Sequence, residues 1–299
     1  MLECFAAVKG KVLQNHDLSK ITWFQVGGPC SYFFRPKDEA DLSHFFKTKP
    51  QELNTFIIGA GSNLLIRDGG FDGCVIKLLQ NFSQIEIDGN TVIAGSGVLD
   101  RTLALTLGEK GFSNLEFLVG IPGSIGGAIA MNAGAYGTEI KDHLLWADLM
   151  DEKGTIHRFY PQDFNMTYRK GNLPKGYIVL KAAFSLTPKE PTFVMKRLEE
   201  ILNERAKTQP IRGRTGGSTF KNPADYSAWK LIDDAGCRGF KIGDAQVSEK
   251  HCNFLLNNGN AQSSDIETLG EYIRQKVLES SGISLEWEII RIGKERKAA

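Results

Sequence analysis

Residues Gly120 to Gly137 read GIPGSIGGAIAMNAGAYG, with no charged side chain and with glycine at 120, 123, 126, 127, 134 and 137. Lacking a Cβ, glycine lets backbone approach a ligand closely and take up positive φ. Successive exposed N–H groups can then form a nest for an anion. The chemistry open to this stretch is to hold a large phosphate-bearing cofactor. The same residues also suit a buried, tightly packed turn and helix, and the stretch alone does not choose. A membrane span fits poorly, because the length is at the short limit and Pro122, Asn132 and six glycines interrupt it.

A second glycine-rich loop, Gly59-Ala60-Gly61-Ser62-Asn63-Leu64, follows the apolar run Phe56-Ile57-Ile58. It resembles the first half of the dinucleotide fingerprint GxGxxG, but Leu64 stands where the third glycine belongs. The next residues, LLIRDGGFDGCVIKL, read as more strand with turns at Asp68-Gly69-Gly70 and Asp72-Gly73. A Rossmann unit needs a helix there, whose N-terminus holds the pyrophosphate, so the Rossmann fold is rejected. A phosphate-binding nest between two strands and an ordinary hairpin turn both remain open.

These loops need a frame. The chain has 299 residues, a length that suggests two domains and buries roughly 75% of the unfolded surface without disulfides. Cys4, Cys30, Cys74, Cys237 and Cys252 are scattered and form no CxxC pair, so neither a zinc site nor a disulfide framework is indicated. That pattern favours a reducing, cytoplasmic setting, and no signal peptide is visible after Met1. A net charge of +1 argues against a nucleic-acid partner, and no membrane partner is expected.

Residues 1–20 read as partly helical. ITWFQVGGPCSYFFRP (21–36) is two apolar runs around Gly27-Gly28-Pro29, and Asp38 can cap a helix with Leu42, Phe45 and Phe46 on one face. QIEIDGNTVIA (84–94) is a hairpin around Asp88-Gly89-Asn90. Leu99, Leu103 and Leu107 mark a helix closed by Gly111. After the glycine-rich stretch come strands over 143–150, 155–160 and 177–186. Residues 187–191 (TPKEP) read as a domain linker, followed by a helix over 192–207 and a second over 227–235 ended by Gly236. HCNFLL (251–256) reads as a strand. Ser264 and Glu267 form a capping box for a helix with Ile266, Leu269, Ile273 and Val277 on one face, and residues 283–289 alternate as a final strand. Strands and helices without regular βαβ alternation give an α+β class. The expected domains are 1–188, with two lobes of roughly 1–78 and 79–188, and 192–299.

VGGP (26–29), GAGSNLL (59–65), VGIPGSIGGAIAMNAGAYG (119–137), YR (168–169), GSTFKNP (217–223) and LEWEIIRIG (285–293) occur in this order. Together they resemble the UDP-N-acetylenolpyruvoylglucosamine reductase family of bacterial peptidoglycan precursor synthesis, over roughly residues 20–293. The resemblance implies an FAD-binding fold of the vanillyl-alcohol-oxidase-like (PCMH-type) superfamily, followed by a smaller α+β substrate domain. It implies non-covalent FAD held by Gly27, by Gly59, Ala60, Gly61, Ser62, Asn63 and Leu64, and by Gly120, Ile121, Pro122, Gly123, Ser124, Gly126, Gly127, Ala128, Asn132 and Gly134. It further implies NADPH as co-substrate and UDP-N-acetylglucosamine enolpyruvate as substrate, the two using one pocket in turn. A monomer is expected.

The resemblance also assigns roles. Ser218 is the proton donor to C2 while hydride reaches C3. A serine is a poor acid in water and must be placed and polarised by neighbours, and a lone Gly-Ser is otherwise a turn. Arg169 clamps the substrate carboxylate, which its planar fork suits. Glu288 completes the catalytic set. Glu286 shares its strand face, and periodicity alone cannot separate the two or exclude a pair of solvated carboxylates. Tyr168, Lys221 and Asn222 are candidate substrate contacts. Arg212, Arg214 and Lys241 are diphosphate candidates on charge alone, and His251 reads as a satisfied polar residue. Gln25 stands where the family often has a basic residue, and the short spacing from Arg169 to Ser218 fits the subtype lacking an extra tyrosine-bearing loop. Two other readings compete. An alcohol oxidase of the same superfamily often carries covalent FAD on His or Cys, which GAGSNLL lacks. A non-enzymatic nucleotide-sugar binder should have lost Arg169, Ser218 or Glu288.

Overall fold

A computed structural model describes residues 3–296. The chain divides into two compact units that do not follow chain order. One contains the chain up to Gln14, Tyr32–Ala60 and Gly73–Glu204; the other contains Asn15–Ser31, Gly61–Asp72 and the chain from Arg205.

Among the described residues the first unit holds two larger sheets and two short two-stranded pairings. One is a five-stranded antiparallel sheet in the order Ile156–Phe159, Leu144–Met150, Ile178–Ser185, Thr91–Gly95, Ile85–Asp88. The hairpin expected around Asp88-Gly89-Asn90 is its edge, with Gly89 at φ 52°. The helices Asp100–Glu109 and Ile125–Met131 share a core with this sheet, through Leu103, Leu107, Ile125 and Ile129 against Val92, Ala147 and Phe184. Leu99 is exposed and precedes the helix rather than lying on its buried face. The other sheet runs Lys11–Asp17, Pro29–Arg35, Phe71–Lys77, Thr55–Ile58. The partly helical character expected of residues 1–20 is confined to the short 3-10 turns Glu3–Phe5 and Ser19–Ile21, since Lys11–Asp17 between them is a strand. The helix Glu39–Thr48 is capped by the Asp38 side chain, which accepts the Asp41 N–H at 2.8 Å, and it buries Leu42, Phe45 and Phe46 as expected.

Residues 187–191 do not separate the units. Thr187–Pro188 pairs with Phe112–Ser113, and the helix Pro191–Thr208 buries Val194, Leu198 and Ile201. Leu198 and Ile201 belong to the core of the first unit, which the chain leaves after Glu204.

The second unit contains the antiparallel sheet Lys241–Ile242, Ala245–Val247, Leu255–Asn257, which shares a core with the helix Ser263–Ser281 through Ile266, Leu269 and Ile273. Its other sheet is a parallel pair, Leu64–Ile66 with Ile290–Ile292. Leu64 thus opens a strand, as the rejection of a Rossmann unit required. The expected capping box at Ser264 and Glu267 is not formed. Gln262 and Asp265 make the box, and the Asp68 carboxylate accepts the Ser263 and Ser264 N–H groups at 2.9 and 3.1 Å. Glu267 is taken instead by Arg67 and Arg291. HCNFLL is strand only from Leu255, and the last strand begins at Ile290. Among the described residues no helix is long and apolar enough to cross a membrane.

Candidate active site

In the first unit the glycine-rich stretch is closely packed at most positions and open at one. A Cβ at Gly123 would overlap Asp100 Oδ2, and one at Gly126 would come within 2.9 Å of the Ser96 Cβ. At Gly120 it would crowd the Tyr136 ring and Ile201, and at Gly134 it would meet Glu139 and Thr138. A Cβ at Gly59 would overlap Ser124 Oγ. These glycines allow close packing of protein on protein. Gly127 differs: it is exposed, and its Cβ space holds only Ser124 Oγ at 3.9 Å. Ile121, Pro122 and Gly123 are half-buried, and Ala128 is buried.

Asn132 is fully buried at φ 42°, and its amide donates to Glu139 Oε2 at 2.9 Å and the Thr167 carbonyl at 3.0 Å while accepting the Lys141 N–H. Its side chain thereby supports the 167–170 turn. In that turn Thr167 and Lys170 exchange both backbone bonds, which leaves Tyr168 and Arg169 at the tip. Arg169 has φ 54°, a left-handed conformation that costs a non-glycine residue energy and clusters at functional sites. Its Nη1 donates to the Gly134 carbonyl at 3.0 Å, tying it to the end of the glycine-rich stretch, and its guanidinium lies 5.0 Å from the exposed Tyr168 ring.

Asp100 was not singled out by sequence. It is 0% exposed, and neither carboxylate oxygen has a hydrogen-bond partner among the described residues. Burial alone pushes its carboxyl well above the usual range. An Asp at the first position of a helix ordinarily reads as a solvated residue complementing the helix end, so nothing local signals this burial.

In the second unit three segments assemble around Ser218. The Thr219 N–H donates to the Asn253 carbonyl at 2.7 Å, and the Asn253 side chain pairs with both the N–H and the carbonyl of Phe220 at 2.9 and 2.8 Å. On the other side, the Thr219 carbonyl accepts the Glu288 N–H at 2.8 Å, and the Lys221 N–H donates to the Glu286 carbonyl at 2.9 Å. Ser218 and Glu288 are both half-buried. Gly217 beside Ser218 has φ 81° and nothing in its Cβ space. Asn253, buried and without a sequence signature, is what fixes the 218–220 segment.

The structure separates the two glutamates. Glu286 is 73% exposed and pairs with Lys221 Nζ at 2.5 Å. The Glu288 carbonyl instead accepts the Asn63 side-chain amide at 3.1 Å. Asn222 Oδ1 caps the helix Ala228–Asp234 by accepting the Ala228 N–H at 2.9 Å. Gly27, at φ 116°, packs against Ile66, and Gly61 is buried and accepts the Trp23 N–H. Ser62 is half-buried and Leu64 is buried. His251 is not satisfied as expected: its Nδ1 is buried without a hydrogen-bond partner, and burial lowers its pKa.

The segment carrying Glu288 is anchored to the helix Ser263–Ser281. The Trp287 ring covers Gly270, where a Cβ would overlap it, and Trp287 Nε1 donates to Glu271 Oε1 at 2.8 Å. Arg291 donates to Glu267 and Glu271 at 3.0 and 3.1 Å, and Arg67 grips Glu267 bidentately at 2.9 and 2.8 Å. The Arg67 hydrogen bonds hold the Glu267 carboxyl below its usual range despite burial.

Comparison with known proteins adds three findings. A family profile described as "FAD binding domain" matches residues 30–160, and one described as "UDP-N-acetylenolpyruvoylglucosamine reductase, C-terminal domain" matches residues 209–292. The chain is 48% identical over 288 residues to the UDP-N-acetylenolpyruvoylglucosamine reductase of Gluconobacter oxydans (strain 621H), covering 96% of this chain and 94% of the relative. It is 50% identical over 287 residues to that of Rickettsia massiliae (strain Mtu5), covering 96% and 97%. It superimposes on the crystal structure of UDP-N-acetylenolpyruvylglucosamine reductase (MurB) from Thermus caldophilus with a TM-score of 0.82 at 32% identity, covering 95% of this chain and 99% of that one. These findings bear out the expected α+β fold with an FAD-binding domain.

Proposed function

The chain belongs to the UDP-N-acetylenolpyruvoylglucosamine reductase family, and on that premise we propose that it uses NADPH and FAD to reduce UDP-N-acetylglucosamine enolpyruvate to UDP-N-acetylmuramate, a cytoplasmic step of peptidoglycan precursor synthesis. The reading extends to how each unit takes part. In the first, the backbone of Gly59-Ala60 and of 120–128 holds non-covalent FAD, and the open space at Gly127 suits close approach of such a group. The family resemblance assigns the backbone of Gly27 and of Gly61 to Leu64 to the cofactor as well. When bound, FAD would supply the hydride chemistry, with C3 of the substrate as acceptor and NADPH as the source.

The chain's own residues do the rest. Arg169 binds the substrate carboxylate with its fork and stabilises the negative charge that develops there when C3 gains hydride. Ser218 gives its hydroxyl proton to C2 of the enolate. Its ordinary acidity is too low for this, so neighbours must stabilise the alkoxide or relay a proton to it. Glu288 orients that transfer, whereas Glu286 is spent on Lys221. Lys221, Asn222 and Tyr168 border the substrate. The observation that most supports these assignments is the bond from the Glu288 N–H to the Thr219 carbonyl, which makes Glu288 a backbone neighbour of Ser218.

An anaerobic assay tests the reading. Purified protein should be yellow with FAD, be bleached by NADPH, and recolour on addition of UDP-N-acetylglucosamine enolpyruvate. Protein that takes up no FAD, or reduced protein that the enolpyruvate does not recolour, would sink it.

A further inference from the structure

Asn63 sits in the loop assigned to the cofactor, yet its side chain is engaged elsewhere. Nδ2 donates to the Glu288 carbonyl at 3.1 Å, while the Asn63 main-chain carbonyl accepts the Ile290 N–H at 3.1 Å. The two bonds bracket Ile289, which is buried. From Leu64 onward the same strand continues in parallel register, Leu64 opposite Ile290 and Ile66 opposite Ile292. On its other side the Glu288 N–H is held by Thr219 at 2.8 Å. Glu288 is therefore fixed by two hydrogen bonds, one to its N–H and one to its carbonyl, and the second comes from a side chain. The amide orientation follows from the partner: a carbonyl requires the NH2 group.

Resting on the function proposed above, we infer that Asn63 is a positioning residue for Glu288: its amide bond to the Glu288 carbonyl sets where the Glu288 carboxylate stands during protonation of the substrate. The loop Gly61–Leu64 thus does two jobs. Its backbone borders the cofactor, and the Asn63 side chain aligns the glutamate. Losing the bond leaves a half-buried carbonyl without that donor and leaves the Glu288–Ile289 peptide to the longer bond from the Ile289 N–H to the Thr219 carbonyl at 3.5 Å, which loosens the backbone that carries the carboxylate. A shift of this kind slows proton transfer far more than it weakens cofactor binding. A side-chain contact to FAD at Asn63 would have the opposite signature.

The experiment uses the FAD-loaded enzyme with Asn63→Ala, Glu288→Gln and the double variant. FAD dissociation constants, bleaching by NADPH and recolouring by the enolpyruvate are measured separately under anaerobic conditions. Asn63→Ala is expected to slow recolouring about tenfold, well beyond any loss in FAD affinity or bleaching. In the Glu288→Gln background it should add little further loss, because it acts through Glu288. Asn63→Asp keeps the shape and removes the donor, and it repeats the test if the alanine variant folds poorly. Three results would overturn the inference alone, in a wild-type enzyme that recolours normally: unchanged recolouring, weakened FAD binding that accounts for the loss, or losses that multiply in the double variant. A wild-type enzyme that does not recolour overturns the functional reading and this inference with it.

Discussion

The carbonyl of Thr219 accepts the backbone N–H of Glu288 at 2.8 Å. Residues bonded in this way lie within about 5.5 Å across a strand pair, so the residue after Ser218 and the retained glutamate are neighbours although far apart in sequence. The Asn253 amide braces the segment from the opposite side by pairing with both polar groups of the Phe220 backbone. Ser218 thereby stands on backbone that has little freedom to move.

Substituting the hydroxyl separates the two halves of the reaction. Ser218→Ala should leave bleaching of the flavin by NADPH near the wild-type rate and slow recolouring by the enolpyruvate about 10²- to 10⁴-fold, the usual range for loss of a general acid. Single-turnover absorbance of the flavin reads each half. Equal loss in both halves would remove Ser218 from the proton-donor role.

Asp100 gives a stability prediction with a definite sign. Its folded-state pKa lies well above the unfolded value near 3.8, for burial alone. The native state therefore keeps a proton that the unfolded state has released. Stability associated with this group is fully present below about pH 4 and is lost as pH rises toward the folded pKa, by about 1.4 kcal/mol per pH unit while only the native state is protonated. Asp100→Asn cannot ionise and should flatten that part of the profile, so the variant gains on the wild type in denaturant midpoint as pH rises above about 4. Parallel profiles would show that the carboxyl is stabilised as an anion after all.

The two kinds of glycine should respond differently to a methyl group. Gly123→Ala drives a Cβ into the Asp100 carboxyl and should cost about 1–3 kcal/mol, as overpacking does. Gly127→Ala enters open space on a helix and should be neutral or stabilising by about 0.5–1 kcal/mol, while weakening FAD binding. Thermal midpoints of the FAD-free proteins and FAD titrations check the pair. A stable Gly127→Ala that binds FAD as tightly as wild type would move the cofactor away from this position.

Much of the fold was legible from short-range pattern. The 84–94 hairpin, the helix capped by Asp38 and the turn glycines at 111 and 236 each depend on residues a few positions apart, and such signals survive in a bare sequence. The strand at Lys11–Asp17 was not legible: KVLQNHD does not alternate. The helix start lies two residues before the expected Ser264–Glu267 box, since Gln262 and Asp265 form it and Asp68, from a distant loop, takes the Ser263 and Ser264 N–H groups. Asp100 gave no hint of burial.

The sequence by itself determined the family, through six motifs in order, and with it the residue types that a cofactor cradle and an acid–base set require. Periodicity alone could not separate Glu286 from Glu288, since both occupy one face of the same alternating run, and only the family motif pointed to Glu288. Tertiary structure gave the two different surroundings, a lysine partner in solvent for Glu286 and a backbone held by Thr219 and Asn63 for Glu288. Periodicity records which side of an element a residue faces. What waits on that side is set by chain closure between distant segments, and only the folded molecule brings those together.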